Sequence, residues 1–323
     1  MNELGPIANR QLNVENTSER ARKYILHAKA NNTIKSYKSD WNDFLAYCRE
    51  RNVSSLKADV STIANYVADM AETKKVSTIC RRLSSISQAH QAAGQESPTL
   101  SFGVKAVIKG VKKEKGTMPN KKNAAVIEDI RAMVNILGGS LIDIRDRALI
   151  LIGFAGAFRR SELVAVMMDD IEFNRDGLTI TLQHSKTDQE GQGYKKGIPY
   201  GSHSDTCPVR SLRDWLQVAK ITSGPLFRRV NRHGQVGKET LSDQSVALIV
   251  KKLVKKAGLD EKKYSGHSLR SGLITTAANR GVDERSIMKQ SGHKSLTVMR
   301  GYIQDATLFK NNAATNVGLY KYC

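Results

Sequence analysis

Apolar residues recur at three- and four-residue spacing through the first third of the chain. In NNTIKSYKSDWNDFLAYCRERNV, residues 31–53, Ile34, Tyr37, Trp41, Phe44, Leu45 and Cys48 form one stripe with polar residues opposite, the pattern of an amphipathic helix. VSTIANYVADMAE and STICRRLSSISQAHQAAG repeat it. Each opens near a Ser or Thr suited to an N-cap, and the second ends at Gly94, suited to the left-handed position that closes a helix. The spacing predicts an all-helical unit over residues 16–108, preceded by a tail over residues 1–15.

In IKGVKKEKGTMPNKKNAAV the periodicity fades, and Lys109, Lys112, Lys113, Lys115, Lys121 and Lys122 gather around two glycines and a proline. Residues 109–123 therefore read as a basic linker to a second unit, residues 124–323. That unit opens with helical patterns, AAVIEDIRAMVNILG and LIDIRDRALILIGFAGAF. LTITLQHS (178–185) then alternates apolar and polar positions, and KKGIPYG follows the turn sequence DQEGQG, so the two read as a β-hairpin. Helical patterns return after Thr206, in VRSLRDWLQVA, SVALIVKKLVKKAG, SLRSGLITTAANRG and DERSIMKQSG. Strands do not alternate with helices, so the expected class is mainly α with a small β-hairpin or sheet (α+β).

Composition narrows what such a fold handles. Among 323 residues, Lys and Arg number 51 against 31 Asp and Glu, a formal charge of +20. That excess attracts a polyanion, and charge alone leaves membrane surface, RNA and DNA open. The most apolar stretch, Leu149 to Phe158, is far short of the roughly 18 residues that cross a bilayer, and the N-terminus lacks a basic-then-apolar signal pattern. The expectation is a cytoplasmic protein with no membrane partner. Cys48, Cys80, Cys207 and Cys323 are scattered, with no spacing of a zinc site or a disulfide framework. Acidic residues are dispersed rather than clustered as a two-metal nuclease or transposase requires, and no metal or cofactor is expected.

Four segments invite a common explanation: GAFRRSEL (156–163), HSKTDQEG (184–191), HSLR (267–270) and GHKSLTVMRGY (292–302). Singly, each is what a basic protein shows by chance. Together, in this order and context, they resemble the boxes of the tyrosine recombinase (phage integrase) family, the Cre and Xer group. The resemblance extends over nearly the whole chain. It implies a helical, SAM-like core-binding domain, a basic linker and a catalytic domain that together clamp duplex DNA.

The resemblance also assigns roles. Family members carry an arginine three positions before a glutamate; Glu162 puts that arginine at Arg159, with Arg160 as the alternative. A phosphodiester gains negative charge as a nucleophile adds, so fixed donors are needed where that charge develops. Arg159 and Arg270 suit this because guanidinium binds phosphate bidentately and stays ionised. His267 and His293 would donate to phosphate oxygens or move protons, and Glu162 would support Arg159. Tyr302 would be the nucleophile; a phenol's ordinary pKa of about 10 means it needs help to ionise. Lys186, at the hairpin tip, would protonate the departing 5′ oxygen.

Tyr320 and Tyr322 lack the histidine spacing, and residues beyond Tyr302, with Leu308, Phe309, Val317 and Leu319, would form a helix docking on a neighbouring protomer. The implied function is site-specific recombination of DNA through a 3′-phosphotyrosyl intermediate and a Holliday junction, without metal or ATP. A homotetramer would act on two duplex sites with inverted-repeat arms, in the nucleoid. The alternatives are a type IB topoisomerase-like relaxing enzyme and a non-catalytic DNA-binding regulator.

Overall fold

The computed structural model describes residues 18–20, 24, 31–118, 121–183, 193–306 and 314, and the chain divides into two units between Asn120 and Lys121. The expected 1–15 tail, the hairpin tip with Lys186, and the expected docking helix beyond residue 306 with Tyr320 and Tyr322 lie outside these residues.

In the first unit, helices α1 (Asn31–Glu50), α2 (Val60–Thr73), α3 (Val76–Ala92) and α4 (Phe102–Lys115) enclose one core. Trp41, Phe44 and Cys48 of the α1 stripe are buried as the spacing predicts, while Ile34, near the helix start, is exposed. The Tyr66 ring lies 5.1 Å from Phe44 and 4.7 Å from Tyr47, aromatic packing of the kind that adds specificity beyond area burial. Two expectations are corrected here. The N-caps of α2 and α3 are Asp59 and Lys75, not the neighbouring Ser or Thr; the Asp59 carboxylate accepts from the Thr62 amide at 2.8 Å. The basic segment read as a linker from residue 109 is helical through Lys115, because Val104, Val107, Ile108 and Val111 still present one apolar face to the core. Gly94 closes α3 with φ +71°, as expected.

The second unit begins with α5 (Ile127–Asn135) and α6 (Leu141–Ala155). The second half of helix α6, Ala148–Ala155, is apolar all round, with Leu149, Ile150 and Ile152 buried, and forms the centre of the core. After the short α7 (Arg160–Ala165), β1 (Ile171–Phe173), β2 (Gly177–Leu182) and β3 (Tyr194–Pro199) form an antiparallel sheet in that order. The β2–β3 pairing, Leu178 opposite Ile198 and Leu182 opposite Tyr194, is the hairpin expected from the sequence.

Helix α8 (Pro208–Val218) lays Trp215 into the core, its indole N–H donating to the Leu226 carbonyl at 2.7 Å. Strands β4 (Arg228–Val230) and β5 (Val236–Thr240) add a second hairpin that sequence reading misses; β5 is almost wholly exposed and so carries no apolar alternation. Helices α9 (Asp243–Lys256), α10 (Ser268–Asn279), α11 (Glu284–Ser291) and α12 (Leu296–Ala306) complete the unit. Ile274 and Ala278 of α10, Ile287 of α11 and Met299 of α12 form a small satellite core. Among the described residues no helix is long and apolar enough to cross a membrane.

Candidate active site

Helix α6 ends at Gly156, and Ala157 adopts φ +46°, a left-handed conformation that costs a residue with a side chain about 1–2 kcal/mol. The turn aims the Ala157 carbonyl at Arg270, whose Nη1 donates to it at 2.8 Å. Two residues on, Arg159 occupies the N-cap of α7. Glu162 holds it twice: one carboxylate oxygen accepts from the Arg159 amide at 3.0 Å, the other from Nη1 at 2.5 Å. Glu162 is only 5% exposed, so this charge-assisted pair fixes the guanidinium rather than merely neutralising it. Arg160 points elsewhere, 3.8 Å from Asp243, and does not line the cleft described below.

Arg270 lies in the first turn of α10, 4% exposed, with Nη2 3.3–3.4 Å from the His293 ring nitrogens. Burial, then the neighbouring Arg159 charge, lowers its pKa to about 10. Even so, it remains a cation at neutral pH. His293 follows the left-handed Gly292 that terminates α11, and its Nδ1 pairs with Ser291 Oγ at 2.8 Å. Burial, then Arg270 and Arg159, pushes the imidazole down to about 4, so near neutrality it is uncharged and can pass a proton in either direction.

Tyr302, on α12, packs against the satellite core with its ring centroid 6.0 Å from that of His293. His267 caps α10 three residues before Arg270, its side chain exposed and its carbonyl accepting from the Ser271 amide at 3.1 Å. The structure thus brings Arg159, Glu162, Arg270, His293 and Tyr302 together. His267 stands at the mouth of the same helix, and Lys186 lies outside the described residues.

A cleft of about 930 Å³ is lined by Arg159, Glu162 and His293 together with Glu284, Arg285, Lys289, Lys294 and Arg300; Arg270, His267 and Tyr302 are not among its lining residues. Sequence reasoning misses one of its residues, Lys196. Its side chain is 2% exposed on β3, and its ammonium donates to the carbonyls of Gly156 at 2.7 Å and Gln290 at 2.5 Å. Burial lowers its pKa to about 7, against the opposing pull of Glu162. The signal was strand parity: Ile198 faces the core, so Lys196, two residues earlier, must face it too.

A buried and a half-buried guanidinium group, an uncharged imidazole and a phenol ring beside it, next to a basic cleft, are the equipment of an enzyme that transfers a phosphoryl group of a polyanion to its own tyrosine. Residues 125–308 match the sequence model of the Phage integrase family, and residues 22–97 that of the Phage integrase, N-terminal SAM-like domain. The chain belongs to this family and is a tyrosine recombinase.

It is 42% identical over 305 residues to an integrase/recombinase xerD homolog of Selenomonas ruminantium, covering 93% of this chain and 89% of that one. It is 24% identical over 320 residues to the recombinase cre of Escherichia phage P1, covering 91% and 92%. Among solved structures, XerH recombinase bound to palindromic difH in a post-cleavage complex shares the fold at a TM-score of 0.67. The match has 17% identity over 92% of this chain and 83% of that one.

Proposed function

We propose that this recombinase cuts one strand of its DNA site by attack of the Tyr302 hydroxyl on a phosphodiester, forming a 3′-phosphotyrosyl linkage and releasing a 5′ hydroxyl. Arg159 and Arg270 hold the non-bridging oxygens as their charge grows, with Glu162 fixing Arg159. His267 and His293 donate to the phosphate or accept the phenol proton, and Lys186 supplies the proton that the 5′ oxygen needs to leave. The linkage preserves the energy of the broken bond, so a 5′ hydroxyl from a second duplex attacks it, expels the tyrosine and rejoins the strand without ATP. Exchange of one strand pair gives a Holliday junction, and exchange of the other resolves it.

The observation that carries this reading is the shared position of His293, hydrogen-bonded to Arg270 and ring-adjacent to Tyr302 of the same chain. Arg159 is preferred to Arg160 because it lines the cleft. The domain reading that accompanies it is a core-binding domain over residues 16–108, a basic linker over 109–123 and a catalytic domain over 124–323, together clamping the duplex; the division of the chain between residues 120 and 121 falls within that linker. The +20 charge suits a DNA partner and action in the nucleoid, inside the cytoplasm. A homotetramer on two sites with inverted-repeat arms, carried by a mobile element, completes the reading.

The test is to incubate the protein with nicked duplexes from the DNA flanking its own gene, trap covalent complexes and sequence the attached peptide and ends. Wild type should yield a Tyr302 adduct on a 3′ end, and Tyr302→Phe should bind equally tightly with no adduct. An adduct on another residue, or an undiminished one in Tyr302→Phe, overturns the proposal.

A further inference from the structure

Two helix C-termini converge behind the site. Helix α6 ends at Gly156 and leads directly into Arg159; α11 ends at Ser291 and leads directly into His293. The last carbonyls of a helix lack intrahelical donors and carry the negative end of its dipole, so bringing two such ends together leaves acceptors unsatisfied and like partial charges opposed. The Lys196 ammonium lies between them, donating to Gly156 in one helix end and to Gln290 in the other. The Phe158 ring, centroid 5.0 Å away, and the Tyr194 ring, 5.6 Å away, cover it. No carboxylate among the described residues forms an ion pair with it. Gln290 returns the connection: its side-chain amide donates to Ala155 of α6 at 2.8 Å and to Gly197 of β3 at 3.1 Å.

We propose that Lys196 and Gln290 are positioning residues for strand cleavage: a clasp that locks the Arg159 turn, the His293 turn and strand β3 into one frame. The inference rests on the reading of Arg159, His293 and Tyr302 as the reacting set. A buried cation with carbonyl acceptors and no carboxylate in ion-pair contact is an expensive way to hold a fold, because an apolar side chain of similar length would pack there without desolvating a charge. What it does that an apolar side chain cannot is tie both helix ends to one atom. Any slack between those ends moves the Arg159 guanidinium relative to His293, and displacements near 1 Å at a transfer site cost about 100-fold in rate.

The experiment compares Lys196→Met, Gln290→Ala and the double variant with wild type on the nicked duplexes described above, measuring DNA affinity and the rate of adduct formation separately. Lys196→Met should bind DNA within about twofold of wild type, because the residue is only 2% exposed and its ammonium is already engaged by two carbonyls. It should form adduct about 10- to 100-fold more slowly. Gln290→Ala should lose about 3- to 10-fold, and the double variant should be no slower than Lys196→Met, since both remove one connection.

Unchanged adduct rates overturn the clasp. So does a parallel loss of affinity, which would make Lys196 a DNA contact, or losses that multiply in the double variant. Where Lys196→Met does not fold, Gln290→Ala decides alone, and a rate within twofold of wild type overturns the proposal. A wild-type protein that makes no Tyr302 adduct, or an Arg159→Ala variant that keeps the full rate, counts instead against the reacting set.

Discussion

Replacing Gly272 by alanine tests whether the backbone of α10 is pressed against the extended segment that enters the second unit. A Cβ on Gly272 would stand 1.8 Å from the Ala125 carbonyl oxygen and 2.6 Å from its carbon. Neither atom can rotate away, and the segment is tied down, with the Ala125 amide donating to Ser268 of α10 at 2.9 Å. The helix and the segment must therefore separate by more than 1 Å. Overpacking of this kind costs about 1–3 kcal/mol, and stretching the Ala125–Ser268 hydrogen bond adds about 1 kcal/mol. Against this, alanine gains about 1 kcal/mol over glycine within a helix.

The balance is a loss of about 1–3 kcal/mol, or a fall in Tm of about 2–12 °C for a unit of this size. Thermal melts and urea titrations of the intact protein read it, the latter as a lower midpoint at unchanged slope. Arg270 sits two residues earlier in the same helix, so adduct formation should slow beyond what the small unfolded fraction explains. A Tm equal to or above that of wild type, the result for a glycine in an open helix face, would refute the reasoning.

Two further predictions concern protons. Lys196 titrates near 7 when folded against an ordinary 10.5, so between those values the unfolded chain binds more protons and stability rises with pH. Wild type should therefore gain Tm relative to Lys196→Met between pH 6.5 and 9.5, and a difference constant across that range would contradict the burial of the charge. His293, held down to about 4 by burial, Arg270 and Arg159, should stay neutral in the DNA-free protein until well below its ordinary 6.5. Imidazole NMR reads this directly, with a midpoint near 6.5 as the contrary result.

What was legible in the chain and what was not divides along one physical line. Helix α1 could be read from Trp41, Phe44 and Cys48 because a helix against a core repeats its buried face every three to four residues, whatever it packs upon. The hairpin of β2 and β3 was legible for the matching reason at period two. The end of α4 was not: its lysines outnumber its apolar residues where the sequence reading stopped, yet Val107, Ile108 and Val111 still hold its inner face. Strand β5 was invisible because its outward residues carry no alternation, and the Asp59 cap was passed over because Ser61 and Thr62 follow it so closely.

The same line runs through the site. Arg159, Arg270, His293 and Tyr302 could be singled out in advance because their motifs, in that order, resemble the boxes of a known family, and the structure brings the four side chains near one another. Lys196 bonds to the carbonyls of Gly156 and Gln290, which lie 40 and 94 residues away in the chain, and no local pattern encodes that meeting. Parity on β3 says that residue 196 faces inward, and a lysine facing inward without a carboxylate is a sign that something behind it needs a cation. In a strand-transfer enzyme, that need arises where the turns carrying the reacting groups begin.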